Sequence, residues 1–252
     1  LLTLVFSLPA SAASNKELVA PLENALLKNS IELNIYLQTL GFTAEELAPM
    51  SIELKKEIAS NGGIKIKAQK LNPELKTYDM NGNDITDTIF STHKYTDSKT
   101  TMFGYAIKTG RGSKENTYDL YAQYTWNSRP NYAFTDTLAM SWQSHVTPYG
   151  DPYSVHNWRN YPEFQYTNKL QSAKIEGSAV EIDLIYAPDP QDGYMRQTVK
   201  VDKSYEGKTG AVALAYAHTK VPTIVEAVLN YFSISFSGFS YEEYTDRFNF
   251  TF

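Results

Sequence analysis

The stretch Tyr118–Trp126, YDLYAQYTW, sets Tyr118, Leu120, Ala122, Tyr124 and Trp126 on every second position. Period two puts those five side chains on one face of an extended chain. The same period returns from Ile64 onward. It appears in Ile64–Ala68, around Phe103, Tyr105 and Ile107, and in Phe134, Leu138, Met140 and Trp142. It continues in Val180, Ile182, Leu184 and Tyr186, then in Val212, Leu214 and Tyr216, then in Phe232, Ile234 and Phe236. Phe248, Phe250 and Phe252 close the chain on the same beat. Turn chemistry separates the runs: Thr109-Gly110-Arg111-Gly112, Asn127-Ser128-Arg129-Pro130, Pro148–Pro152, Pro188-Asp189-Pro190 and Glu206-Gly207. Strict alternation predicts antiparallel strands with one face buried and one wet. Many such strands with short turns predict a mainly β fold, an antiparallel β-sandwich ahead of a barrel.

Upstream of residue 64 the period is helical. Leu18, Leu22, Leu26, Leu33, Leu37 and Leu40 predict a helix that begins at Pro21 and stops at Gly41. Thr43 and Glu46 have the spacing of a capping box, with Phe42 and Leu47 as its hydrophobic staple. Ser51 is the expected cap of a third helix, which Asn61-Gly62-Gly63 ends. A lead-in this short cannot bury much alone. It is expected to dock on the β-rich region downstream, or to serve as a propeptide or partner-binding arm.

Residues 1–14, LLTLVFSLPASAAS, form an apolar run, a Pro and an Ala-x-Ala motif, the pattern of the back half of a secretory signal peptide. The expected organisation is therefore a signal remnant over 1–13, a helical segment over 14–63 and an antiparallel β domain over 64–252. The net charge of -5 argues against nucleic acid as the main partner. The absence of cysteine excludes thiol catalysis and cysteine zinc sites, and an exported protein without disulfides fits a bacterial source. The 19 Tyr residues favour strands first and a recognition surface second.

The sequence offers several candidates for chemistry. Asp79, Asn81, Asn83 and Asp87 carry oxygen side chains at the spacing of a calcium loop. The usual Gly position is Asp84 and the usual Glu position is Phe90, so an Asn-Gly turn is the favoured reading, with calcium as the alternative cofactor. His93, His145, His156 and His218 have no metal-ligand partner at close spacing. A hydrolase would use His145 or His156 with Asp151 or Asp136. Asp136 shares the register of Leu138 and Met140, and a strand end or bulge that returns it to solvent is the favoured explanation. Tyr149, Tyr153, Trp158 and Tyr161, in what reads as a long loop, would stack on a sugar or a partner, or else fold over the sheet edge.

Residues 37–63, LQTLGFTAEELAPMSIELKKEIASNGG, resemble the N-terminal region of uncharacterised secreted proteins of Gram-positive bacteria, in which a short LGF-[ST]-x-E-E helix pair precedes a β-rich region. The resemblance implies an extracellular location and no particular activity.

Three functions are compatible with these features. The first is a secreted, non-enzymatic binding or effector protein that meets a cell-surface glycan or protein. The second is a membrane-active, pore-forming or bacteriocin-like toxin, in which the serine-rich Tyr231–Ser237 strand joins a transmembrane hairpin. The third is a secreted hydrolase. The aromatic C-terminal run also resembles the closing strand of an outer-membrane barrel, which makes the outer membrane the alternative location.

Overall fold

The computed structural model describes residues 17–88, 100–158, 165–186 and 190–252. The signal remnant, His93 and Tyr161 lie outside them. The described chain stacks in four layers: helices, a sheet, a second sheet and a β-hairpin.

The first sheet comprises β1 (Ile64–Lys70), β3 (Thr100–Arg111), β4 (Glu115–Trp126), β11 (Gln191–Asp202), β7 (Tyr153–Trp158) and β8 (Gln165–Thr167) in that order, with β6 (Val146–Pro148) also on β11. The second runs β2 (Glu74–Thr77), β15 (Tyr241–Thr251), β12 (Thr209–Thr219), β5 (Thr135–Trp142), β10 (Gly177–Asp183) and β9 (Lys169–Lys174). All pairings are antiparallel, and neither sheet closes into a barrel. The architecture is an antiparallel β-sandwich.

The core between the sheets comes from the period-two positions. Tyr118, Leu120, Ala122, Tyr124 and Trp126 of β4 meet Leu138, Met140 and Trp142 of β5 and Val212, Leu214 and Tyr216 of β12. Phe248, Phe250 and Phe252 point into this core. The terminal aromatics that suggested a barrel's closing strand are thus core side chains on and just beyond β15, which pairs β12 along its length and β2 only over Glu242–Thr245.

Helices α1 (Ser30–Thr39), α2 (Ala44–Leu47) and α3 (Ile52–Asn61) cover the outer face of the first sheet. The first helix is shorter than its leucine spacing suggests. Asn29 caps it, with Glu32 bonding back to the Asn29 N–H, and Asn24 just upstream has φ 53. These asparagines divide the leucine run, and Val19 instead pairs with Gly63 as extended chain. Thr43 and Glu46 form both bonds of their capping box, and Glu46 also takes Lys65 of β1 at 2.6 Å. One side chain thereby caps α2 and fastens the helices to the sheet.

The helices correct the expectation of a wet outer face. Leu33, Leu37, Leu54 and Ile58 pack on Tyr105, Ile107, Tyr121 and Tyr194. Polar side chains on that face are buried too, but hydrogen-bonded. Gln123 donates to the Pro49 carbonyl at 2.8 Å and accepts from the Tyr105 hydroxyl at 2.7 Å.

Strands β13 (Glu226–Asn230) and β14 (Ser233–Ser237) form the fourth layer. They do not continue the sandwich as the Phe232, Ile234, Phe236 run suggested. They form a separate two-stranded hairpin on the outer face of the second sheet.

Candidate functional site

Strands β12 and β15 are neighbours along their whole length, from Thr209 opposite Thr251 to Thr219 opposite Tyr241. The chain between them, Lys220–Ser240, leaves one end of the sandwich and folds back over the sheet as the β13–β14 hairpin. The floor beneath it is small: Ala139 and Ala179 receive Leu229, while Ala217 packs with Val225.

Side chains do most of the fastening. The Thr137 hydroxyl donates to the Val225 carbonyl at 2.6 Å. Gln171 of edge strand β9 donates to that carbonyl at 3.2 Å and accepts from the Ala227 N–H at 2.8 Å. At the tip, the Phe232 N–H donates to the Trp142 carbonyl at 2.9 Å, and Arg247 lies 4.3 Å over the Phe232 ring. A two-stranded hairpin is marginal in water without such support. Beside β14 the floor is open, a groove of about 420 Å³ lined by Ala213, Ala215, Ile234 and Arg247 among others.

The hairpin is also strained. Phe232 has φ 59 and Ser240 has φ 47, a left-handed region that costs a non-glycine residue about 1–3 kcal/mol. These two positions bracket β14. Along the hairpin, Ala227, Leu229, Ile234 and Phe236 share the docked face, and Glu226, Val228, Asn230, Ser233, Ser235 and Ser237 share the exposed, mostly polar one.

The root of this segment is held firmly by a buried polar network. The Asp136 carboxylate accepts from the Tyr216 hydroxyl at 2.6 Å, from the Thr219 N–H at 2.9 Å and from His218 Nδ1 at 3.0 Å. Trp126 donates to the Tyr216 oxygen at 2.9 Å, and Lys220 pairs with Glu242 at 2.9 Å. Burial raises the Glu242 pKa, but the Lys220 ammonium paired with it and the hydroxyl that Tyr244 donates outweigh this and hold the carboxyl below its usual range. Asp136 is 0% exposed, so the strand-end or bulge explanation fails. The inward register was the correct signal, and the polar groups that satisfy it lie on β12.

The other sequence candidates are dispersed. His156 bonds Tyr124 at 2.6 Å and Gln191 at 3.0 Å inside the first sheet. His145 stacks on Tyr205 with ring centres 4.0 Å apart. None of the described hydrogen bonds joins either histidine to Asp136 or to the exposed Asp151. The expected aromatic loop is largely strand β7. Tyr153 packs on Tyr194 beneath the helices, Trp158 ends the strand half-buried, and Tyr149 is exposed with Lys200 3.8 Å over its ring.

Asp79 accepts from the Asn81 and Asn83 N–H groups at 2.8 and 2.9 Å, which is Asn-Gly turn chemistry, and Asp87 lies exposed beyond the turn. Among the described residues, no three His, Asp or Glu side chains gather as a metal-binding group. No described helix is long and apolar enough to cross a membrane.

Burial lowers the His156 pKa, and nearby carboxylates oppose the shift only in part. Below about pH 6.5 the unfolded chain therefore binds more protons at this position than the folded one. Stability is expected to fall as the pH drops through that value. Tm measured from pH 8 to pH 5 should show the fall, and His156→Gln should flatten it.

No family model matches the sequence, and no curated protein matches it. A number of solved structures are similar at low level, a toxin and a biosynthetic enzyme among them. The Clostridium perfringens NetB toxin in its membrane-inserted form is 10% identical, with a TM-score of 0.29 over 73% of this chain and 97% of that one. AvmM, which catalyses macrocyclization in alchivemycin A biosynthesis, is 11% identical, with a TM-score of 0.24 over 49% of this chain and 79% of that one.

Proposed function

We propose that this protein is a non-enzymatic effector, exported by a bacterium, that acts on lipid membranes by releasing the Lys220–Ser240 hairpin into the bilayer. One observation carries the reading: an amphipathic segment leaves between two directly paired strands and lies fastened, under backbone strain, on the face of its own sheet. The segment is long enough for two strands of about 9–10 residues, the length that crosses a bilayer. Its alternation suits a barrel wall, with Val225, Ala227, Leu229, Phe232, Ile234 and Phe236 toward lipid and Glu226, Asn230 and the serines toward a lumen, Val228 being the one apolar residue on that side. Export is supported by the apolar run and Ala-x-Ala motif of the first residues.

The test is release of a small dye from phosphatidylcholine liposomes, with and without a lock on the hairpin. Leu229 packs on Ala179, and the chain has no cysteine, so an engineered Leu229→Cys/Ala179→Cys pair has no competing thiol. The reduced protein should release dye, and the oxidised one should lose at least about 90% of that activity. Folded, reduced protein that releases nothing, or equal release by the locked form, would refute the reading.

A further inference from the structure

At the root end of the sandwich, five separate turns each project one large apolar side chain. These are Met80, Tyr132, Tyr186, Ile224 and Phe239, which are 59%, 43%, 63%, 46% and 53% exposed. Single exposed apolar residues are ordinary. Their convergence follows from the topology: Thr77, Trp126, Asp183, Thr219 and Tyr241 all end or begin strands at this end. The tips also meet in space. Ile224 and Phe134, next to Tyr132, share a cleft of about 380 Å³ with Leu184. Asp79 accepts from the Ser240 N–H at 2.9 Å, which brings the Met80 and Phe239 turns together. At the opposite end, the described turns expose three large apolar side chains, Tyr149, Ile175 and, at the hairpin tip, Tyr231.

We infer that this five-tipped end is the surface that first docks on the interfacial zone of a zwitterionic bilayer. The inference rests on the membrane reading above and adds the orientation of approach. Three features select a bilayer. The tips stand on five different turns that touch without merging into a single apolar groove, the cleft beside Ile224 being lined also by Thr135, Asp183 and Thr223, which suits a deformable surface. Tyr at two tips, and Arg129 3.5 Å over the Tyr186 ring, have the mixed character of the lipid–water boundary. Lys220 and Ser240 lie at this same end, so contact here places both ends of the hairpin segment against the lipid. Asp84 and Asp87, both exposed beside Met80, disfavour an anionic surface.

The helical layer offers a rival apolar stripe, Leu26, Leu27, Ile31 and Ile35, on the far side of the first sheet. Flotation of the full chain with phosphatidylcholine vesicles separates the two. Met80→Ser/Tyr186→Ser should weaken vesicle binding by at least about tenfold. Ile31→Ser/Ile35→Ser should bind as the parent does, and the oxidised Leu229→Cys/Ala179→Cys protein should bind without releasing dye. Adding anionic lipid should not strengthen binding. The inference is overturned if the folded tip variant binds like the parent, if the helical variant loses binding, or if the parent does not bind. Dye release with unimpaired binding by the tip variant would overturn only the orientation. Tip-dependent binding with no release by the parent would overturn only the hairpin mechanism.

Discussion

Asp136→Ala is expected to remove about 3–5 kcal/mol of folding stability, a large part of what a domain of this kind possesses. The carboxylate is fully buried and is the common acceptor for the Tyr216 hydroxyl, the Thr219 N–H and His218. Truncation leaves all three donors in the core without a partner, and each unsatisfied group costs about 1–3 kcal/mol. Asp136→Asn keeps one acceptor oxygen and nearly the same volume, so it should lose less than Asp136→Ala. Guanidinium unfolding of the two variants would measure this. Equal losses below about 1 kcal/mol would show that the network does not hold the fold.

The second large effect is expected where β3 and β15 pack face to face between the two sheets. Gly104 of β3 faces the Phe248 ring of β15, and a Cβ at this glycine would overlap the ring. Phe248→Ala removes a fully buried ring from the core and should cost about 3–5 kcal/mol. Gly104→Val overfills the same space and should cost about 1–3 kcal/mol. Each substitution relieves the defect of the other, so the double variant should be more stable than the sum of losses implies. Strict additivity in a denaturant cycle would mean that ring and glycine do not share one space.

The sandwich was legible because its core is written in period two. Tyr118 to Trp126, and Val212 to Tyr216, read directly as inward faces. The cover over the first sheet was less legible: Asp119, Gln123 and Thr125 look like solvent-facing residues. They are buried because helices from far away in sequence cover this face: Gln123 bonds to the Pro49 carbonyl between α2 and α3, and Asp119 accepts from the Thr198 hydroxyl of β11. Asp136 is legible as an inward register position, although the sequence favours its return to solvent, and His218 reads there only as a histidine without a metal partner. His218 is simply the next step after Val212, Leu214 and Tyr216. Their pairing required knowing that β5 and β12 are neighbours, which no local pattern encodes. The Tyr231–Ser237 alternation was visible too, but period two cannot say which sheet a strand joins, or that it joins neither.

The unbroken ladder between β12 and β15 also bears on how this protein can change over time. It amounts to one long β-hairpin whose connecting loop has grown to Lys220–Ser240 without disturbing the pairing behind it. Doubling a loop's length costs only about 0.6 kcal/mol in closure entropy. Insertions, deletions and wholesale replacement should therefore accumulate in this cassette far faster than in the strands that flank it, so lineages could exchange the docked hairpin while inheriting the same scaffold.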